Sequence, residues 1–226
     1  MTLLDQVLEA HGGLEAWRSA REIEAEIRSG GFALLSKGIA RPFRHYETRV
    51  AVDRPRTVIE PYPTAGRRGV FEGDSVRIES DDGETLAERH DVRRLFPGVR
   101  RRLHWDHLDG LYFAGYALWN YLTTPLLLTR AKVEEDGRLL RVTFPPEVPT
   151  HSTEQEFHVD ERGLITRLDY TAEVIGGWAH AKHLCDAYRE FDGLMFPTRR
   201  RVTPVRLPFP LLVKLDLERI AVQRAG

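Results

Sequence analysis

Sulfur is scarce in this chain, which has one cysteine, Cys185, and two methionines in 226 residues. A single cysteine excludes an internal disulfide and every multi-cysteine metal site, and it fits a reducing compartment. Also missing are a glycine-rich phosphate loop, a dinucleotide fingerprint and a G-x-S-x-G nucleophile elbow; Gly12-Gly13 and Gly30-Gly31 read as turns. Excess charge of either sign is lacking, because 33 Lys and Arg against 34 Asp and Glu leave a net charge of -1. No broad field draws nucleic acid, and the basic runs VRRRLHW (99–105) and TRRRV (198–202) are local features. The N-terminus, MTLLDQVLEAHGGLEAW, carries Asp5 and Glu9 where a signal peptide needs a basic region and an unbroken apolar stretch, so a cytoplasmic location is expected.

What the chain does have is 42% hydrophobic and 30% charged residues, enough for one compact domain over 1–226. Its longest uncharged run, Gly110 to Leu128, lies inside DHLDGLYFAGYALWNYLTTPLLL (106–128). Nineteen residues reach the length of a membrane span, but Asn120, Thr123, Thr124 and Pro125 interrupt them. Pro125 removes a backbone donor and biases Thr124 away from helix, so the pattern predicts a lid or core helix over 106–122 and no transmembrane segment. Asp106 or Asp109 is expected to cap its first turn.

Around that helix the patterning is mostly period two. Residues 1–20 read as two short helices separated by His11-Gly12-Gly13. From Ile23 the chain alternates, GVFEGDSVRIES reads as a hairpin at Gly73-Asp74, and 81–104 reads as irregular. Residues 129–223 form a long antiparallel meander with tight turn signals, so the fold class is α+β, a large antiparallel sheet with helices on one face. Two-residue turns at Gly176-Gly177 and Asp192-Gly193, and a four-residue turn at 160–163, would align Glu156, Arg167, Asp186 and Arg199 across the solvent face.

The opposite face then carries Gln155, Phe157, Val159, Leu164, Thr166, Leu168, Tyr170, Ala172, Val174, Ala179, Ala181, His183, Cys185, Ala187, Phe196, Thr198, Arg200 and Val202. Ala179, Ala181, Cys185 and Ala187 are small where Val, Ile or Leu would be usual, which leaves room above the sheet. Either the apolar helix fills that room directly, or a cavity lies between them, lined by Tyr112, Tyr116 and Trp119 at helical spacing. His183 falls on the inner face near Tyr170, either as a hydrogen-bonded core residue or as a polar anchor. Arg200 also points inward, and its guanidinium needs a carboxylate, a carbonyl cluster, the sheet rim or a bound anionic head group. Cys185 reads as a small buried hydrophobe. His180 and His183 sit on opposite faces, and His104 and His107 lack a third ligand at recognisable spacing, so no metal and no cofactor are expected.

HGGLEAW (11–17), the meander of amphipathic strands, and DAYREFDGLMFPTRRRV (186–202) together resemble the LolA/LolB-like lipoprotein-carrier superfamily and its bacterial relatives. The resemblance implies a strongly curved, incomplete antiparallel barrel whose concave apolar face is covered by helices, with lipid or acyl chains bound beneath them. The helix over 107–122 would be the lid. The leading expectation is binding or carriage of a small hydrophobic, possibly acidic-headed ligand by Tyr112, Tyr116, Trp119, Tyr170, His183 and Arg200. The alternatives are a cyclase, isomerase or hydrolase of a lipid-like or polyketide-like substrate with His183 as acid or base, and a module that docks through the apolar helix.

Overall fold

The computed structural model describes residues 1–97 and 104–224, so the basic run at 99–102 falls outside the described residues. Six strands precede the long helix: β1 (Ala20–Gly30), β2 (Tyr46–Ala51), β3 (Arg56–Glu60), β4 (Arg67–Glu72), β5 (Ser75–Ser80) and β6 (Thr85–Arg89). Seven follow it: β7 (Lys132–Asp136), β8 (Leu139–Thr143), β9 (Glu154–Val159), β10 (Ile165–Thr171), β11 (His180–Phe191), β12 (Leu194–Pro204) and β13 (Val213–Arg224). All pair antiparallel in one sheet of order 6-5-4-3-2-1-13-12-11-10-9-8-7. The sheet is open, as the α+β reading implied. β6 and β7 are its two edges, so the intervening chain must cross from one edge to the other, and the helix His107–Thr123 lies on that path over the inner face.

Alternation decides which side chains face the helix. In β1, Ile23, Ala25 and Ile27 are buried, while the glutamates between them stay on the other face. Across the C-terminal half the inner-face reading holds for Phe157, Leu168, Tyr170, Ala181, His183, Cys185, Phe196 and Arg200, all buried. Leu168 pairs with both His183 and Phe157, which fixes them on one side. Ala187 departs from it. Its backbone has φ 53, it is exposed, and Tyr188 turns inward instead, donating to the Ile165 carbonyl at 2.5 Å.

The hairpins at Gly73-Asp74 and Asp192-Gly193 have the expected register, with Glu72 opposite Ser75 and Arg199 opposite Asp186. Two other registers differ. Ala172 to Ala179 form a longer loop than Gly176-Gly177 alone, so Thr171 faces His180 and Arg167 faces Leu184. A bulge at Thr166 shifts β9 against β10 and sets Glu156 opposite Asp169. The end-to-end offset is two residues in each case, which keeps the side chains beyond the bulge on their faces, while at the bulge Ile165 turns inward in place of Thr166. The like charges are offset by Arg141 near Glu156 (3.4 Å) and Arg167 on Asp169 (2.5 Å). Residues 81–104, expected to be irregular, contain β6 and a short helix, Val92–Leu95.

The long helix is buried nearly all round, as a helix without a polar face must be. No helix among the described residues is long and apolar enough to cross a membrane. Asp106 and Asp109 form a capping box at its N-terminus, and Arg89 binds both carboxylates (2.7 Å each) from the edge strand β6. Asp109 is fully buried. Replacing Arg89 with methionine therefore leaves a buried carboxylate without its guanidinium and should lower the unfolding free energy by about 3 kcal/mol. Urea denaturation measures this, and an unchanged midpoint would show that Asp109 is held by its other contacts. The helix packs on β2 to β6, where Trp119 Nε1 donates to the Ala51 carbonyl (3.1 Å) and Thr57 Oγ1 to that of Gly115 (2.9 Å).

Candidate functional site

The other side of the helix faces a buried polar cluster built from three sources. From the helix come Tyr116 and Tyr121; from the loop between β8 and β9 comes His151; from β10 to β12 come Tyr170, His183, Cys185 and Arg200. The loop folds inward because its polar groups are met there. Asn120 Nδ2 donates to the Pro149 carbonyl (2.7 Å), Arg93 Nη1 to that of Thr150 (2.7 Å), and Thr150 Oγ1 to that of Ser152 (2.8 Å). His151 is thereby placed with Nδ1 3.1 Å from the Tyr116 hydroxyl and Nε2 2.7 Å from that of Tyr121. Its ring stacks on Tyr170 at 4.1 Å, nearly parallel.

The small residues of β11 are matched by large cross-strand neighbours. Tyr170 pairs with Ala181, and Arg200 pairs with Cys185, so much of the room above Ala181 and Cys185 is taken by these side chains. Arg200 is 4% exposed. Its Nη2 donates to the Tyr121 carbonyl at the helix C-terminus (3.0 Å), its Nη1 reaches Cys185 Sγ (3.2 Å) and His183 Nε2 (3.4 Å), and the guanidinium lies 4.9 Å from the Tyr121 ring centre. None of these partners is a carboxylate. The helix-terminal carbonyl and the ring offset part of the desolvation of the charge. Among the described residues, the Nε of Arg200 and the Nδ1 of His183 are buried without a partner. Arg200 can only donate, so His183 Nε2 is the acceptor and the neutral ring carries its proton on Nδ1. Both orphaned atoms are therefore donors.

Burial sets the protonation states. His151 is pushed down to about 3 by burial and then by Arg93, and His11, beside Arg200, down to about 4 by burial. His183 is driven well below its ordinary value by burial and the Arg200 charge, while burial raises the Cys185 thiol and the Tyr116 and Tyr170 hydroxyls. Neutral imidazoles, thiol and phenols surround one permanent cation. No carboxylate touches His151 or His183 among the described residues; their polar neighbours are tyrosine hydroxyls and the Arg200 guanidinium.

The unfolded chain titrates its histidines near 6.5, so between that value and about 3 it binds protons that the folded chain refuses. Stability should fall as pH drops through this window, by about 1.4 kcal/mol per pH unit for each buried neutral histidine. Urea midpoints at pH of about 7 and about 5 test this, and His151→Gln should flatten the slope.

Two spaces adjoin the cluster. One, of about 10 Å³, is bounded by His11, Tyr121, Thr124, Cys185, Tyr188 and Arg200 and has room for about one water. The other, of about 40 Å³, is an apolar crevice among Leu34, Phe43, Phe113, Ala117, Leu118 and Val213. Of the residues singled out in the sequence, Tyr116, Tyr170, His183 and Arg200 converge. Tyr112 meets the cluster only at its edge, with its ring 5.4 Å from that of Tyr116, and otherwise packs against Phe71 and Phe96 (5.7 and 5.8 Å), while Trp119 turns to β2. Tyr121, His151, His11 and Tyr188 join the cluster without a sequence signal that placed them; only Tyr121 shares a helix with residues already suspected.

No family model and no curated sequence matches the chain. Among solved structures, a DUF1329 family protein from Desulfovibrio piger aligns over 97% of this chain and 91% of its own, with 12% identity and a TM-score of 0.52. The two share a fold. A LolA superfamily protein from Nitrosomonas europaea aligns over 100% of this chain and 96% of its own, with 12% identity and a TM-score of 0.49. The architecture implied by the LolA/LolB resemblance, an open antiparallel sheet with helices on one face, is the one observed. At such identity the likeness concerns the fold alone.

Proposed function

We propose that the protein binds a small hydrophobic molecule with an acidic head group, between the sheet and the long helix, and holds it for transfer. Arg200 carries this reading. A buried guanidinium with neutral partners only, beside a second orphaned donor on His183, is complementary to an anionic oxygen. The apolar crevice that begins on the other side of Tyr121 and Tyr170 supplies a wall for a hydrocarbon tail.

A ligand of this class needs a space of roughly 300 Å³ or more, so binding requires the crevice to widen. The packing favours widening on one side. The helix is fastened to β2 to β6, whereas the crevice separates it from Val213 and Leu215 of β13, and a tail can enter there without undocking the helix.

Native mass spectrometry of the purified full chain tests the reading. Incubated with a long-chain fatty acid or the alcohol of the same length, the protein should retain the acid and release the alcohol. Equal retention would remove the role of the head group, and retention of neither would overturn the reading and leave a single water as the natural partner of Arg200 Nε.

A further inference from the structure

The end of the sheet where β1, β10 and β12 finish, and where β2, β11 and β13 begin, carries an unusual surface. Nine large hydrophobic side chains stand exposed among the described residues, and five of them are here: Phe32, Leu35, Trp178, Leu207 and Phe209. They sit on three connections that touch one another. The short helix Phe32–Ser36 is tied to the β12–β13 loop by Phe32 N to Leu211 O and Ala33 N to Leu212 O (2.9 Å each). That loop is tied to the start of β11 by Val205 N to His180 O (3.1 Å), and Leu207 and Trp178 flank one groove.

Charge on the first two of these connections is one-sided, whereas the groove beside Trp178 holds Glu134, Glu154, Glu156 and Asp169 against Lys132, Arg141 and Arg206. Residues 27 to 46 contain Arg28, Lys37, Arg41 and Arg44 and no Asp or Glu; residues 193 to 215 contain Arg199, Arg200, Arg201, Arg206 and Lys214 and again none. Arg28, Arg199 and Arg201 are paired with Glu218, Asp186 and Asp216 and Arg200 is buried, which leaves the other cations of these two joined segments to form a local cationic rim. Arg41, Arg44, Arg206 and Lys214 are exposed, and the acidic group of the third connection, Glu173, is already bound by Arg93 (2.6 Å).

We infer that this rim docks on an anionic lipid bilayer, with Phe32, Leu35, Trp178, Leu207 and Phe209 entering the interface and the arginines and lysine facing the headgroups. Bulky apolar side chains raised on separate loop tips, with cations set among them, suit a soft interface that each can enter singly. A flat protein partner would call for a contiguous packed face and for carboxylates to fix its register. The cationic rim supplies attraction to acidic headgroups, and it weakens as salt shortens the reach of the charges.

Vesicle co-sedimentation of the full chain tests the inference. The protein should sediment with phosphatidylcholine vesicles containing phosphatidylglycerol, bind pure phosphatidylcholine at least tenfold more weakly, and release as salt is raised. Trp178 is 76% exposed while Trp17, Trp105 and Trp119 are buried, so a blue shift and loss of acrylamide quenching on vesicle addition report this tryptophan. The double substitution Phe32→Ser and Phe209→Ser, at exposed positions, should reduce binding at least tenfold with an unchanged thermal midpoint. Absence of vesicle binding, equal binding to both vesicle types, or a rim that drives self-association in ultracentrifugation without binding vesicles each overturns the inference; the unsubstituted protein decides all three. The rim and the proposed cargo site fail separately, because Arg200→Met should leave vesicle binding unchanged and the rim substitutions should leave fatty-acid retention unchanged.

Discussion

Arg200→Met should abolish retention of a long-chain fatty acid and leave the fold as stable as before, or more so. The guanidinium is 4% exposed and has no carboxylate partner among the described residues, so the folded chain carries much of its desolvation cost uncompensated. Methionine replaces the apolar stem out to the position of Nε, fills irregular space, and removes the orphaned donor. The Tyr121 carbonyl loses one charge-assisted donor, worth about 1.5–3 kcal/mol at most, against a penalty of several kcal/mol for the buried charge. Binding of an acid loses the cation opposite its head group, and one or two charge-assisted bonds correspond to roughly 10- to 10,000-fold in affinity. Thermal melts and fatty-acid titrations separate the two effects. If Arg200→Met melts well below the unsubstituted protein, the guanidinium is a structural bond to the helix C-terminus, and the head-group assignment fails.

Gly115→Ala should destabilise the protein by about 2 kcal/mol or more, opposite in sign to its effect in an isolated helix. There the exchange gains about 1 kcal/mol, because glycine has the greater backbone freedom to lose. Here a Cβ on Gly115 would lie 2.3 Å from Phe71 Cβ and 2.5 Å from its Cγ. Phe71 is fully buried on β4, and Thr57 holds the Gly115 carbonyl from β3, so neither side can give cheaply. Overpacking of this kind costs about 1–3 kcal/mol or more after the propensity gain is lost in strain. For a chain of this length that shifts the melting temperature by about 4–8 °C. Gly177→Ala, where an added Cβ meets nothing within 4 Å, is the control and should be near neutral. A neutral Gly115→Ala would mean that the helix is not pressed against β4, and nothing would then direct the crevice to open on the β13 side.

The candidate site was half legible. Period-two alternation gave the inner faces of β9 to β12, and with them Tyr170, His183, Cys185 and Arg200, because strand geometry makes facing a local property. It survived two errors of register, since an offset of two residues preserves parity. It failed at Thr166, where the bulge buries Ile165 instead, and at Ala187, where a positive φ turns the strand; no residue type announces either. His151 was out of reach for a different reason. Its loop has no period, and the ring is placed by Asn120, Arg93 and the tyrosines, which are distant in sequence.

The sequence by itself determined the local elements: a helix with a capping box at Asp106 and an end at the proline, strands with one apolar face, and a tight register at Asp192-Gly193. Each follows from backbone preferences within a few residues. Only the tertiary structure decided where the helix sits and what surrounds Arg200. An open sheet with edges at β6 and β7 forces the connecting chain across its inner face, and the glycines at 69, 110 and 115 press the helix onto the N-terminal half. The other half is left lined by a crevice, a cation without a counter-charge, and tyrosines and histidines held neutral by burial. Those are properties of distances between remote segments, which no local pattern encodes.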